Sequence, residues 1–261
     1  MIYYRSKKTI KIAEIWYNSQ EKLEEKKADV FKYKFVEAKQ QNSALLEERF
    51  TILINLKEDI DTLFSHIGKN TRYKINRAKE RDGVNCGVFF ALNEQDKDKI
   101  AHYIEYFNGF SASKKRSSLT FSDLRQFYDQ GTLCIRHVVN EDASVTYTMH
   151  AYIVSDGRAR LHQSSSHFRN NDDSEARNLI GRANRYLHWD DILYFKNMGL
   201  DYYDFGGWYG GQTDTEKLAI NQFKEAFGGE KTQEYTYTVP VSLSGKIAVF
   251  FQNLRKTKKS I

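Results

Sequence analysis

Side chains able to move a proton or grip an anion fall in a few stretches of this 261-residue chain. His150 and His162 sit in two strand-like runs, 145–154 and 159–165, joined by Asp156-Gly157, a two-residue signal for a tight hairpin. Adjacent antiparallel strands could bring both imidazoles to one side, where histidine serves as a base near neutral pH. A sheet histidine held by hydrogen bonds is the plainer reading of each. Asp204 closes another short run just before Gly206-Gly207. A carboxylate at a strand end beside flexible glycines can reach a substrate, and it can equally cap the following loop. Trp208 and Tyr209 lie between that glycine pair and Gly210-Gly211, as a candidate aromatic wall and a candidate phenolic acid. Arg72 and Arg77 belong to a basic run with Lys69, Lys74, Lys79 and Arg81. The guanidinium fork binds phosphate oxygens in pairs, although a solvated helix face accounts for most such runs.

These residues need elements to hold them. Residues 1–48 read as peripheral: strands at 10–17 and 30–36 around a charged helical stretch at 20–28. A strand follows at 50–56. The apolar spacing of Ile60, Leu63, Phe64 and Ile67 predicts a single helix over 58–81, ended by Gly83. Next come a strand at 85–91, helices at 94–107 and 121–129, the second capped by Thr120, and three strands at 133–139, 145–154 and 159–165. A helix is expected over 183–197, a strand over 200–205, and a helix opened by a Thr213-x-x-Glu216 capping box and stopped by Gly228-Gly229. A strand at 234–241 and a final helix complete the pattern. Strands followed by alternating helix and strand point to an α+β fold with helices packed on a mixed sheet.

Composition narrows the class of function. The hydrophobic fraction of 40% suffices for a large core, and 40 Lys+Arg against 34 Asp+Glu suit an anionic partner. Cys86 and Cys134 are far apart and show no metal or disulfide spacing, which fits reduced thiols and a cytoplasmic location. No signal peptide and no run long enough to span a bilayer is visible. No Ser-His-Asp or Cys-His nucleophile signature is present either.

Two segments carry a family resemblance. Residues 70–83 read NTRYKINRAKERDG, and residues 181–229 read GRANRYLHWDDILYFKNMGLDYYDFGGWYGGQTDTEKLAINQFKEAFGG. The second resembles the hallmark of the Fem-type branch of GNAT acyltransferases: a helix with an aliphatic residue and Trp, then K-x-x-G, a Y-D-x-G-G strand end, and F-K-x-x-F-G-G. The matching residues are Leu187, Trp189, Lys196, Gly199, Tyr203, Asp204, Gly206, Gly207, Phe223, Lys224, Phe227, Gly228 and Gly229. The first segment is similar to the family's basic helix end through Arg72, Ile75, Arg77, Ala78 and Gly83.

The resemblance implies a GNAT-like, mostly antiparallel central sheet flanked by helices over residues 49–261, with 1–48 as an appendage. It implies an N-acyltransferase that works by positioning an activated acyl group beside an amine. The expected co-substrate is acyl-CoA or an acyl-carrier thioester, with no metal. The expected acceptor is a small-molecule or nucleotide-linked amine, such as an amino sugar in surface-glycan assembly. Acyl carrier protein is a further candidate partner, and tRNA ranks behind it. The alternatives are Fem-like transfer of an amino acid from aminoacyl-tRNA to a cell-wall peptide or lipid-linked precursor, and a non-catalytic binding protein on the same scaffold. Acyl transfer to an amine needs a base, for which Asp204, His150 and His162 are the candidates by position, and Tyr209 is the candidate acid that reprotonates the leaving thiolate. The resemblance implies Asn178-x-x-Gly181-x-Ala183, with Arg182, as a phosphate loop within 169–184. Arg72 becomes a clamp for acceptor phosphate, with Arg77 beside it, and Trp208 a wall of the substrate site.

Overall fold

The computed structural model describes residues 1–7, 9–17, 28–38, 44–166 and 173–257. The predicted helical stretch at 20–28 falls almost wholly outside them. The chain divides into two compact units: Met1–Thr51, Gly207–Gln212 and Lys231–Ile261 in the first, Ile52–Gly206 and Thr213–Glu230 in the second.

In the first unit β1 (Ile2–Lys7), which the sequence pattern did not reveal, pairs antiparallel with β2 (Ile10–Trp16), and β2 runs parallel to β3 (Val30–Val36). β10 (Glu230–Pro240) pairs antiparallel with β3. Ile2, Ala13, Ile15, Ala28 and Phe31 form a core cluster, with Tyr33 and Val239 packed against it. Helix α7 (Leu243–Thr257) starts at Ser242, whose Oγ accepts from the Gly245 amide at 3.0 Å. A Cβ on Gly245 would lie 2.1 Å from the Asp29 carbonyl oxygen, so only glycine lets the helix approach this closely.

In the second unit the strand order is the end of β4 (Leu45–Asn55), β9 (Tyr202–Trp208), β8 (Arg158–Ser166), β7 (Thr146–Ser155), β6 (Leu133–Asn140) and β5 (Val84–Phe90). The pairs β5–β6, β6–β7 and β7–β8 are antiparallel, while β8–β9 is parallel and limited to Arg158–Arg160 against Tyr202–Asp204. The mixed, mostly antiparallel sheet flanked by helices is therefore present as expected. Asp156 and Gly157 form the predicted hairpin with φ of 50° and 70°, the left-handed values such a turn requires. α2 (Lys69–Arg81) and α5 (Ser174–Asn197) cover one face, where Ala78, Val84, Val138, Ala183 and Leu187 pack together. α3 (Lys97–Ser113) and α4 (Phe121–Asp129) lie on β5, β6 and β8, with Phe127 against His162 and the Tyr103 hydroxyl 2.9 Å from Gln163 Oε1. α6 (Thr215–Glu225) follows β9.

Three expectations about elements are corrected. The helix expected over 58–81 is two helices, α1 (Ile60–His66) and α2, because Ile67 turns extended and the Gly68 amide bonds to the Ala226 carbonyl at 2.9 Å. Asp214, not Thr213, caps α6, by accepting from the Lys217 amide at 3.1 Å. The described part of the phosphate loop placed at 169–184 is helix from Ser174 onward, capped by Asp173. Burial pushes the Cys134 thiol up to about 12 and raises that of Cys86, so neither is primed as a nucleophile. No helix among the described residues is long and apolar enough to cross a membrane.

Candidate active site

Beyond their three paired residues β8 and β9 part company, and a cavity of about 700 Å³ opens between them, α5, α6 and the end of α3. Leu161, Ser164 and Ser166 come from β8, Phe205 from β9, Asn184, Arg185 and His188 from α5, and Phe223 and Lys224 from α6. Gly206, at φ 68°, allows β9 to bend past β8: a Cβ there would meet the Leu161 carbonyl oxygen at 2.7 Å.

Asn184, His188 and Asp191 recur at helical spacing on one face of α5, so one helix delivers a polar row beneath the cavity. Asp191 is fully buried. As a carboxylate it can only accept: Tyr152 donates its hydroxyl to Oδ2 at 2.6 Å, and Arg136 donates Nε to Oδ1 at 2.9 Å. His150 lies between Asp191 Oδ2 at 2.7 Å from Nδ1 and Asn184 Oδ1 at 2.9 Å from Nε2.

One proton per hydroxyl then fixes the rest. Tyr152 spends its proton on Asp191, so across their 2.8 Å contact it must accept from Tyr203. Tyr203, having donated, accepts from His188 Nδ1 at 2.7 Å. His188 is thereby held with its proton on Nδ1 and its lone pair on Nε2, which no described residue engages. Burial, then the proximity of His150, Lys224 and Arg185, holds the His188 pKa well below the usual histidine value, so the ring stays neutral. His150, His188 and Asp191 also bring ligand atoms within 4.8 Å of one another, a spacing open to a metal ion. Asp191 and both nitrogens of His150 are already engaged by hydrogen bonds, so the cluster is better described as proton wiring.

Lys224 supplies positive charge to the same cavity. Burial brings its pKa down to about 8, partly offset by Asp204 and reinforced by Arg160, and its Nζ reaches the Gly206 carbonyl oxygen at 3.3 Å. Through Gly181 and Arg185 the cavity adjoins a second pocket of about 410 Å³ lined by Tyr73, Lys74, Arg77, Arg177, Asn178 and Arg182. Among the described residues, no carboxylate lines it. Burial lowers the pKa of Lys74 and of Arg185, and Arg185 and Arg182 depress Lys74 further, as expected of cations gathered close together.

The structure brings some predicted residues together and separates others. His150 lies in the buried network, whereas His162 is exposed on the opposite face against the Phe127 ring, so the two histidines do not pair. Asp204 lies away from the cavity lining, fully buried. Arg158 Nε and Arg160 Nη1 each donate to its Oδ2 at 2.7 Å, and the Gly206 amide donates to its Oδ1 at 2.8 Å. Arg72 lines neither pocket and donates to the Ser65 carbonyl at 2.6 Å, while Arg77 does line the cationic pocket, 3.7 Å from Asp82. Asn178, Gly181 and Arg182 line that pocket too, from helix rather than loop. Arg182 is held by a bidentate pair to Asp82 at 2.6 and 3.0 Å, and Ala183 is buried in the core, where it cannot touch a ligand. Trp208 and Tyr209 fall in the first unit, Trp208 against Phe50 with Lys231 Nζ 3.5 Å from its ring centre, and Tyr209 half-buried over Gly211. Sequence reasoning did not propose roles for His188, Tyr203, Tyr152, Asp191 or Lys224. The available signal was the polar row 184, 188, 191 inside an otherwise apolar helix face, together with Tyr203 and Lys224 in the family motif.

No protein-family model and no curated protein matches this sequence. Solved structures share its fold. FemX aligns over 92% of this chain and 84% of its own with a TM-score of 0.65 at 12% identity. L-PGS from Bacillus licheniformis aligns over 96% and 84% with a TM-score of 0.57 at 11% identity. The C-terminal domain of a putative lysylphosphatidylglycerol synthetase from Agrobacterium fabrum aligns over 95% and 83% with a TM-score of 0.56, also at 11% identity. The Fem-like resemblance read from the motifs thus holds at the level of fold, and it extends over nearly the whole chain.

Proposed function

We propose that the second unit is the catalytic part of an acyltransferase that moves an activated acyl group onto an amine in the cavity beside His188. The observation that carries this reading is the placement of His188, its Nδ1 bonded to Tyr203, in the lining of a cavity that Lys224 also lines. As the amine nitrogen attacks the carbonyl carbon, His188 takes the proton that the new C–N bond makes acidic. Lys224 faces the oxygen that becomes an oxyanion. Collapse of the tetrahedral species breaks the bond to the leaving sulfur or oxygen, and His188 returns its proton to that atom. Asp191, Tyr152 and Tyr203 touch no substrate; they hold the tautomer.

The cationic pocket suits the phosphates of the donor's carrier. Two donors share that chemistry: a CoA or carrier-protein thioester, with an amino sugar or similar amine as acceptor, and an aminoacyl ester on tRNA. The second gains support from the fold shared with L-PGS and with a protein named for making lysylphosphatidylglycerol. Purified chain should be given acyl-CoAs, acyl carrier thioesters and aminoacyl-tRNAs in turn, against amino sugars and amino-terminated peptides, with products read by mass. The reading expects amide product from one donor class and none with His188→Ala. Failure of every donor, or undiminished product from His188→Ala, would sink it.

A further inference from the structure

Helix α7 in the first unit has two apolar faces. One is seated: Gly245 and Val249 are buried, Ser242 and Ser244 donate their hydroxyls to Asp29 Oδ1 at 2.6 and 2.8 Å, and Asn253 Nδ2 donates to the Ala44 carbonyl at 3.2 Å. The other is bare. Leu243 is 75% exposed, Ile247 52%, Phe250 60%, Phe251 57% and Leu254 46%. At ~100° per residue these five positions fall within an arc of about 100°. The seated face fixes the helix, so the bare stripe is held outward.

Charge identifies what covers it. From Ser242 onward the sequence contains Lys246, Arg255, Lys256, Lys258 and Lys259 and no acidic residue. A second copy docked on the same stripe would bring these cations against one another. A bilayer offers hydrocarbon for the stripe and phosphate for the cations, and a helix with an aromatic-aliphatic face and basic flanks binds in that way. We infer that the outer face of α7 lies on the surface of a bilayer containing anionic phospholipid, with Phe250 and Phe251 entering the acyl boundary. This holds whatever the second unit catalyses.

Flotation of the intact chain with vesicles tests it. Phosphatidylcholine vesicles containing phosphatidylglycerol should carry the protein, and phosphatidylcholine alone should carry far less. Raising salt from 0.1 to 0.5 M should weaken binding by about 10-fold, as the basic flank is screened. The Phe250→Ser/Phe251→Ser variant should lose about 10- to 100-fold in partitioning, and because both rings are exposed its circular dichroism and acyl-transfer activity should be unchanged. Single Phe250→Ser serves if the double variant misfolds. Equal binding to neutral vesicles would overturn the anionic surface. No binding to either vesicle, with a dimer in solution that the same substitutions dissolve, would assign the face to a second copy instead.

Discussion

The second unit buries two carboxylates completely, and they make opposite uses of similar partners. Asp204 lies between Arg158 and Arg160 and receives the Gly206 amide, so its partners close around it. Asp191 also meets an arginine, but its remaining partners are Tyr152 and His150, which pass hydrogen bonds on to Tyr203, His188 and Asn184 at the cavity wall. A buried charge must be compensated in either case. Compensation by arginines and backbone leaves Asp204 to act on the cavity through its charge on Lys224, whereas compensation by groups that both give and take a proton extends a hydrogen-bonded chain to a surface where chemistry can occur.

Substitutions can break this contrast, and the largest effect on turnover is expected at its cavity end. His188→Ala should lower kcat by roughly 100- to 10,000-fold while the chain stays folded; activity near normal would dissolve the distinction. Lys224→Met should cost about 100- to 1,000-fold in kcat. In the unaltered chain, activity should fall as pH passes about 8, where Lys224 loses its proton. Thermal stability should move the other way. The folded-state pKa lies below the ordinary 10.5, so between these values the unfolded chain binds more protons and stability rises with pH. A pH series of kcat and Tm on both proteins reads each trend, and both should vanish in the variant.

Tyr203→Phe removes the acceptor of the His188 proton and frees the tautomer. A loss of about 10- to 100-fold in kcat with little change in KM is expected. A shifted pH profile would separate this from a packing defect. Asp204→Asn should change turnover least, within about 2-fold per folded molecule, yet cost about 3–5 kcal/mol of stability by removing the charge that two buried arginines share. Denaturant melts beside active-site titration would show it, and a kcat collapse in fully folded Asp204→Asn would reverse the assignment of the two carboxylates.

Much of this was legible in the residues. Alternation and the Asp-Gly turn located β7 and β8, and the glycine-rich motif located β9 and α6. The pairing of His150 with His162 fails on arithmetic the turn already contained. A two-residue hairpin pairs Ser155 with Arg158, which puts His150 opposite residue 163 and His162 on the other face. A bulge between Ala151 and Tyr152 then moves the partner of His150 to Ser164, a shift no local signal announced. The described part of the loop expected at 169–184 proved helical from Ser174 onward because Asp173 caps it and the polar residues beyond it face the two pockets, where polarity marks a site rather than a turn. Asp204 misled for the complementary reason. Its motif position was read correctly, but the arginines that claim it stand more than forty residues earlier, on β8, and only strand pairing brings them near.

The two cysteines give the molecule a built-in clock. Cys86 lies on β5, the last strand in the order, and Cys134 on the neighbouring β6, four residues along from Val138, the partner of Cys86. Only a thiolate reacts with an alkylating agent, and burial keeps both as thiols at neutral pH. Cys134 is buried and waits for its strand to open, while Cys86 is half-buried and slowed by its raised pKa, so the rates of capture report how often each strand opens. If β5 peels away alone, Cys86 is tagged long before Cys134; if the sheet opens only as a whole, the two are captured at one rate.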